Sequence, residues 1–139
     1  MQFAPLILHT GVASLEEDEL PYEEFYRLPA ASARLINQTR QYGGRVIAVG
    51  TTTVRALETA AEHDGSLRAG EGWTDLVISP DEGLRSVDGL ITGFHEPRST
   101  HLSMMLALTG ADHLRAAYIE ACKEGYLWHE FGDLHLILP

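Results

Sequence analysis

A single cysteine, Cys122, stands in the chain, so an intrachain disulfide is excluded and nothing in the cysteine count points to an oxidising compartment. No apolar run reaches the length of a membrane span, and the N-terminus lacks the basic-then-apolar order of a secretory leader. A cytoplasmic location is the expectation. Basic residues are also scarce: ten Lys and Arg face twenty Asp and Glu, a formal net charge of −10. That field repels a polyanion, so nucleic-acid binding by this segment alone is disfavoured, although Arg34, Arg40 and Arg45 could group locally. Metal-ligand patterns are missing as well. The seven histidines include no His-x3-His or His-Glu-x-x-His spacing, His95-x5-His101 and His129-x5-His135 match no ligand pattern, and one cysteine cannot build a multi-thiolate site. No metal is expected. Neither a GxGxxG fingerprint nor a P-loop is present.

What remains is a chain of 139 residues, 45% hydrophobic and 22% charged, enough for one globular domain over residues 1–139 with a real core. Short apolar runs alternate with segments of helical spacing. Leu6–His9, Val46–Val49, Leu76–Ile78, Val87–Ile91 and Leu134–Leu138 read as strands. Helices are expected from Pro29 to about Tyr42 (Ala31, Leu35 and Ile36 inward), from Thr51 to about Glu62, from Ser99 or Thr100 through Leu108, and from Asp112 to Glu124. In the last of these, Leu114, Ala117, Tyr118, Ala121 and Cys122 make an apolar stripe, which reads Cys122 as core. Glu16–Glu19 reads as a solvated loop. The strands show little alternation, which predicts an α/β fold with a mainly parallel sheet flanked by helices.

Ligands in such sheets sit beyond the carboxyl ends of the strands. Two segments occupy that kind of position. In the first, Val46-Ile47-Ala48-Val49 runs into Gly50-Thr51-Thr52-Thr53-Val54-Arg55, a strand, a turn and a helix start rich in hydroxyls. Free amides, the positive end of the helix dipole and Arg55 converge there on a volume suited to a carboxylate, phosphate or sugar hydroxyl. Thr51 or Thr52 acting only as a helix cap is the alternative. The second is Val87 to Thr100, where His95, Arg98, Ser99 and Thr100 lie close together: an imidazole for proton transfer, a guanidinium for a carboxylate or phosphate, and hydroxyls that equally well cap a helix. Asp133 enters the last strand after Gly132, either as a turn residue or as a carboxylate aimed at the same surface. Trp73 and Trp128 read as core more readily than as stacking platforms.

Gly50-Thr51-Thr52-Thr53-Val54-Arg55-Ala56-Leu57-Glu58 resembles the Gly-Thr-Thr-Ser/Thr-Val-Arg-x-Leu-Glu signature of the S-adenosylmethionine:tRNA ribosyltransferase-isomerases of queuosine biosynthesis. Leu8-His9-Thr10-Gly11, Gly72-Trp73-Thr74, Val87 to Leu102 and Phe131-Gly132-Asp133 follow the family's other blocks in order. The resemblance is to the C-terminal part of that enzyme, without the inserted β-barrel that precedes it. It implies S-adenosylmethionine as co-substrate and ribosyl transfer to a 7-aminomethyl-7-deazaguanine in tRNA, with tRNA engaged only alongside the N-terminal region. The roles it implies are Gly50, Thr51, Thr52 and Arg55 on the methionine or ribose end, Arg98 as a clamp with Ser99 and Thr100, and His95 and Asp133 as proton-transfer groups. Departures are visible: Leu20-Pro21-Tyr22-Glu23-Glu24 stands where the family has His-x-Met-His-x-Glu, and Gly93 stands where it has Asn. They leave two other readings open, an adenosyl- or nucleotide-binding module without catalysis and a transferase with another acceptor.

Overall fold

The computed structural model describes residues 1–10, 23–95 and 99–138. Two short strands, β1 (Ile7–Leu8) and β2 (Glu24–Leu28), are followed by helix α1 (Ala30–Gln41), β3 (Ile47–Val49), α2 (Thr51–Ala60), β4 (Gly70–Thr74) and β5 (Gly89–Gly93). Helices α3 (Thr100–Thr109) and α4 (Ala111–Lys123), a 3₁₀ turn (His129–Phe131) and β6 (Leu134–Ile137) complete the order. No helix among the described residues is long and apolar enough to cross a membrane.

The strands form two three-stranded sheets, ordered β1-β2-β4 and β3-β5-β6. The α/β class expected from the sequence holds, but the sheets are less parallel than expected. β3 and β5 pair in parallel, whereas β1–β2, β2–β4 and β5–β6 are antiparallel. The reason lies in two strands that carry weak signals. β2 holds only one aliphatic residue, and the glycines of Gly70-Glu71-Gly72-Trp73-Thr74 hide the period of β4. Both join by plain antiparallel pairing, Phe25 opposite Trp73 with their rings edge to face at 5.8 Å.

Helix α2 packs against strands of both sheets, so the signature segment is the centre of the core. Val54 and Ala56 are fully buried, with Leu57 beside them, and Leu28, Leu90 and Met105 close the core around them. Pro29 precedes α1 in extended conformation, its fixed φ of −62° leading the chain into the first turn.

Further expectations are corrected. Trp73 and Trp128, read as core, are both exposed. Leu76–Ile78 is not a strand: the Leu76 N–H donates to Thr74 Oγ1 at 3.1 Å and its carbonyl accepts from Arg55, so both backbone groups are taken by side chains. In α1 the buried face carries Ser32, Ala33 and Ile36 while Ala31 is exposed, because the Ser32 hydroxyl donates to the Pro5 carbonyl at 2.6 Å and sets the helix rotation. In α4 only Leu114 is buried, and Cys122 is exposed. That helix packs along one edge against α3, leaving the far half of its apolar stripe in solvent. Glu16–Glu19 lies outside the described residues, as do Leu20, Pro21 and Tyr22.

Candidate functional site

The register of the second sheet brings the two segments to one edge. Val49 is opposite Ile91 at the carboxyl end of the parallel pair, and Gly93 is opposite Leu134 on the antiparallel side. The turn at Gly50, the loop after Gly93 and the entry to β6 at Asp133 therefore open at the same end of the sheet.

Gly50 holds φ +87° and ψ 147°, a backbone state that a side chain would strain. Its N–H donates to the Ile91 carbonyl at 2.8 Å, and this bond fastens the turn to β5. Gly50 is itself the residue before the helix, and no side chain caps α2. The threonines are thus not caps. Thr51 is buried at the first helical position, and Thr53 turns its hydroxyl back to the Val49 carbonyl at 2.7 Å. The α2 amides keep the orientation that suits an anion.

Arg55 is engaged in architecture. Its Nη1 pairs with Glu24 Oε2, and Nε donates to the Leu76 carbonyl at 3.1 Å. This pair ties α2 to β2 in a nearly dry environment, and it is the reason the guanidinium is not a free clamp at the Gly50 turn. Nη2 alone is buried without a described partner. Glu58, one turn on, is equally architectural. Its carboxylate accepts from the Ser86 N–H at 2.8 Å, the Ser86 hydroxyl at 2.5 Å and the Arg85 N–H at 3.0 Å, and so pins the loop ahead of β5.

His95 is buried, with Nε2 2.9 Å from Thr92 Oγ1. The Tyr118 hydroxyl accepts from the His95 N–H at 3.0 Å and donates to its carbonyl at 3.1 Å, which fixes the backbone against α4. Two further imidazoles meet it. His101 stacks on it with ring centres 4.6 Å apart, and His129 lies tilted at 4.9 Å. Neither neighbour is expected from the sequence as a site residue. The available signal was that His101 occupies the first turn of a helix starting just beyond His95, while His129 approaches only through long-range packing. The approach of His129 depends on Gly93: a Cβ there would lie 2.3 Å from the His129 Cβ. The three imidazoles thus meet at His95, within reach of one another. Among the described residues no group of three or more His, Cys, Asp or Glu is arranged to hold a metal ion.

Asp133 is half-buried, and its Oδ2 accepts from the Leu127 N–H at 2.5 Å, closing the loop that leads into β6. Ser99 caps α3, its Oγ accepting from the Leu102 N–H at 3.2 Å, and Thr100 is the exposed first residue of that helix. Arg98 lies outside the described residues. Of the three arginines that could have formed a patch, Arg40 donates to the Gly65 and Arg85 carbonyls at 2.9 and 2.6 Å, a role in loop anchoring. His135, its ring tilted against Phe94 with centres 4.5 Å apart, is held below its ordinary titration range by burial. A groove of ≈ 850 Å³ lies elsewhere: residues 1–6 line it with Ile47, Val49 and Ile91, and neither His95 nor Asp133 does.

Residues 1–137 match the family model described as queuosine biosynthesis protein. The chain belongs to that family. Among curated relatives, it is 41% identical over 145 residues to the S-adenosylmethionine:tRNA ribosyltransferase-isomerase of Moorella thermoacetica, covering 99% of this chain and 42% of the relative. The protein of that name from Symbiobacterium thermophilum is 44% identical over 140 residues, covering 96% and 41%. A crystal structure of S-adenosylmethionine tRNA ribosyltransferase from Thermotoga maritima superposes with a TM-score of 0.79 at 42% identity, over 99% of this chain and 45% of that one. The chain thus spans less than half the length of these relatives and corresponds to their C-terminal part.

Proposed function

We propose that this chain supplies the C-terminal, chemistry-bearing part of an S-adenosylmethionine:tRNA ribosyltransferase-isomerase, acting on tRNA with the N-terminal region of the family fold. The observation that carries the reading is the shared opening of the Gly50 turn, the His95 cluster and Asp133 at one sheet edge, in a chain that belongs to this family from residue 1 to 137.

The reaction needs an anchor for the methionine end, a base for the ribose proton made acidic by the neighbouring sulfonium, and an acid for departing adenine. The α2 amides at Thr51 and Thr52, together with the Thr52 hydroxyl beside the Gly50 turn, suit the carboxylate of the methionine end, where the helix dipole adds to the hydrogen bonds. His95 is the proton acceptor, oriented by Thr92 and by the Tyr118 grip on its backbone. Asp133 at the same edge is the proton donor to adenine, while Ser99, Thr100 and Arg98 are assigned to the acceptor. Arg55 acts through the Glu24 pair, as a positioning residue for α2.

Calorimetric titration with S-adenosylmethionine tests the pocket. Saturable binding that Thr52→Val weakens and His95→Ala leaves within a few-fold is the expected outcome, since His95 acts on the proton and not on the carboxylate. Unaltered binding in Thr52→Val would move the anchor away from the Gly50 turn. A binding module without catalysis is the competing reading, supported by the net charge of −10; it would bind the co-substrate yet release no adenine in the presence of tRNA.

A further inference from the structure

A side chain that moves a proton works only at the angle the reaction needs, and a displacement of about 1 Å can cost on the order of 10²-fold in rate. Two holds on His95 are polar. Nε2 lies 2.9 Å from Thr92 Oγ1, and the Tyr118 hydroxyl bridges the His95 N–H and carbonyl. These contacts fix the backbone and one ring nitrogen, while the plane of the ring is set by what lies against it. Two imidazoles do so. His101 is parallel to His95 within 14°, with centres 4.6 Å apart, and His129 stands at 32° and 4.9 Å. Both spacings fall in the contact range of aromatic pairs, which prefer particular mutual angles.

Each neighbour is anchored to a different element, so neither is free to follow a tilting His95. His101 occupies the first turn of α3, whose start Ser99 caps. The backbone N–H of His129 donates to the Phe94 carbonyl at 3.1 Å, and its Nδ1 lies 3.2 Å from the same oxygen. A carbonyl only accepts, so Nδ1 carries a proton there and the ring is pinned in one orientation. Gly93 makes this approach possible. A Cβ at that position would stand 2.3 Å from the His129 Cβ and 3.1 Å from its Cα. Gly93 lies inside β5, opposite Leu134, and its φ is not positive, so no turn calls for a glycine. A glycine within a strand marks a close approach, and here the approaching residue is the one that reaches His95.

We infer that His101 and His129 are positioning residues for His95, their rings walling its imidazole and holding its plane. They act by packing, so another aromatic ring serves in place of an imidazole. The catalytic consequence rests on the transferase reading, whereas the holding of the ring does not.

Two measurements test this. In the chain itself, carbon-13 relaxation at the histidine Cε1 positions reads the fast motion of the His95 ring. Order at His95 is expected to fall in His101→Ala and in His129→Ala, and to stay at its original level in His101→Phe. Gly93→Ala should match His129→Ala, because it drives that ring away while the imidazole remains in the chain. Adenine release is then followed in a chimera carrying residues 1–139 in place of the C-terminal part of the Moorella thermoacetica relative. Each alanine variant should lower kcat at least about tenfold while KM for S-adenosylmethionine stays within about threefold, and His101→Phe should recover most of the loss. Unchanged order at His95 in both alanine variants would overturn the inference. So would a kcat loss that His101→Phe fails to recover, since a nitrogen and not the ring would then matter. If His129→Ala loses its fold by circular dichroism, the His101 variants decide alone, because His101 is half-buried on a capped helix. A chimera that releases no adenine in any form tells against the transferase reading, and relaxation in the chain still decides the ring packing.

Discussion

Removing the Glu58 carboxylate is expected to destabilise the fold out of proportion to the atoms removed. The side chain is 3% exposed, and Ser86, whose N–H and hydroxyl it accepts at 2.8 and 2.5 Å, is fully buried. Glu58→Ala leaves those two donors in a dry site, each at about 1–3 kcal/mol, and opens a small cavity besides. The ion pair with Arg85 at 3.6 Å adds little, since Arg85 is half in solvent and screened. The sum is about 4 kcal/mol, on the order of a 10 °C fall in Tm for a domain of this size. Glu58→Gln keeps one acceptor oxygen but turns an amide toward a donor, and about 2 kcal/mol is expected. Denaturant unfolding followed by circular dichroism measures both, and a Ser86→Ala, Glu58→Ala cycle isolates the coupling. A Glu58→Ala cost below about 1 kcal/mol would refute the reasoning, because an ordinary surface site loses that much or less. Its loss should also loosen the loop ahead of β5, and with it the base of His95.

Other outcomes follow from the same contacts. Arg55→Met should cost about 3 kcal/mol by breaking the buried pair with Glu24, and Arg55→Lys should not restore it, since a lysine cannot donate both to Glu24 and to the Leu76 carbonyl; thermal melts decide this. Gly93→Ala should cost about 1–3 kcal/mol and displace the His129–Phe131 turn, read by chemical shifts of the His129 ring; unchanged shifts would refute the dependence of that turn on the space at Gly93. Burial lowers His135 from its ordinary 6.5, so below that pH the unfolded chain binds more protons than the folded one. Stability contributed by neutral His135 is complete above about pH 6.5 and is lost as the pH falls toward the lowered folded value. His135→Gln should flatten this part of the pH–stability curve; an unaltered slope would assign the acid sensitivity elsewhere.

How much was legible in the sequence depended on whether a signal was local. Strand β3, the Gly50 turn, α2 and the capping of α3 by Ser99 were readable because periodicity and turn chemistry act within a few residues. β2 and β4 were not, because their glycines and aromatic residues carry no strand period and their pairing spans more than forty residues of chain. The Gly-Thr-Thr signature was recognised, but the division of labour within it was hidden. Arg55 looks like a ligand-binding charge in the sequence, and only its partner Glu24 shows it to be an internal fastener, as Arg85 and Ser86 do for Glu58. The histidine cluster was invisible for the same reason: His101 and His129 reach His95 through helix packing and through the space left by Gly93. The apolar runs of β3 and β6 were read as strands buried on both faces, and the structure covers one of them.

The most direct test of the central claim is adenine release by a chimera in which residues 1–139 replace the C-terminal part of the Moorella thermoacetica relative, supplied with S-adenosylmethionine and tRNA bearing 7-aminomethyl-7-deazaguanine. Adenine formed in equal amount to ribosyl-modified tRNA, and lost in the His95→Ala chimera while co-substrate binding persists, is the expected result. A folded chimera that binds S-adenosylmethionine but releases no adenine, or a His95→Ala chimera with unchanged turnover, would contradict it.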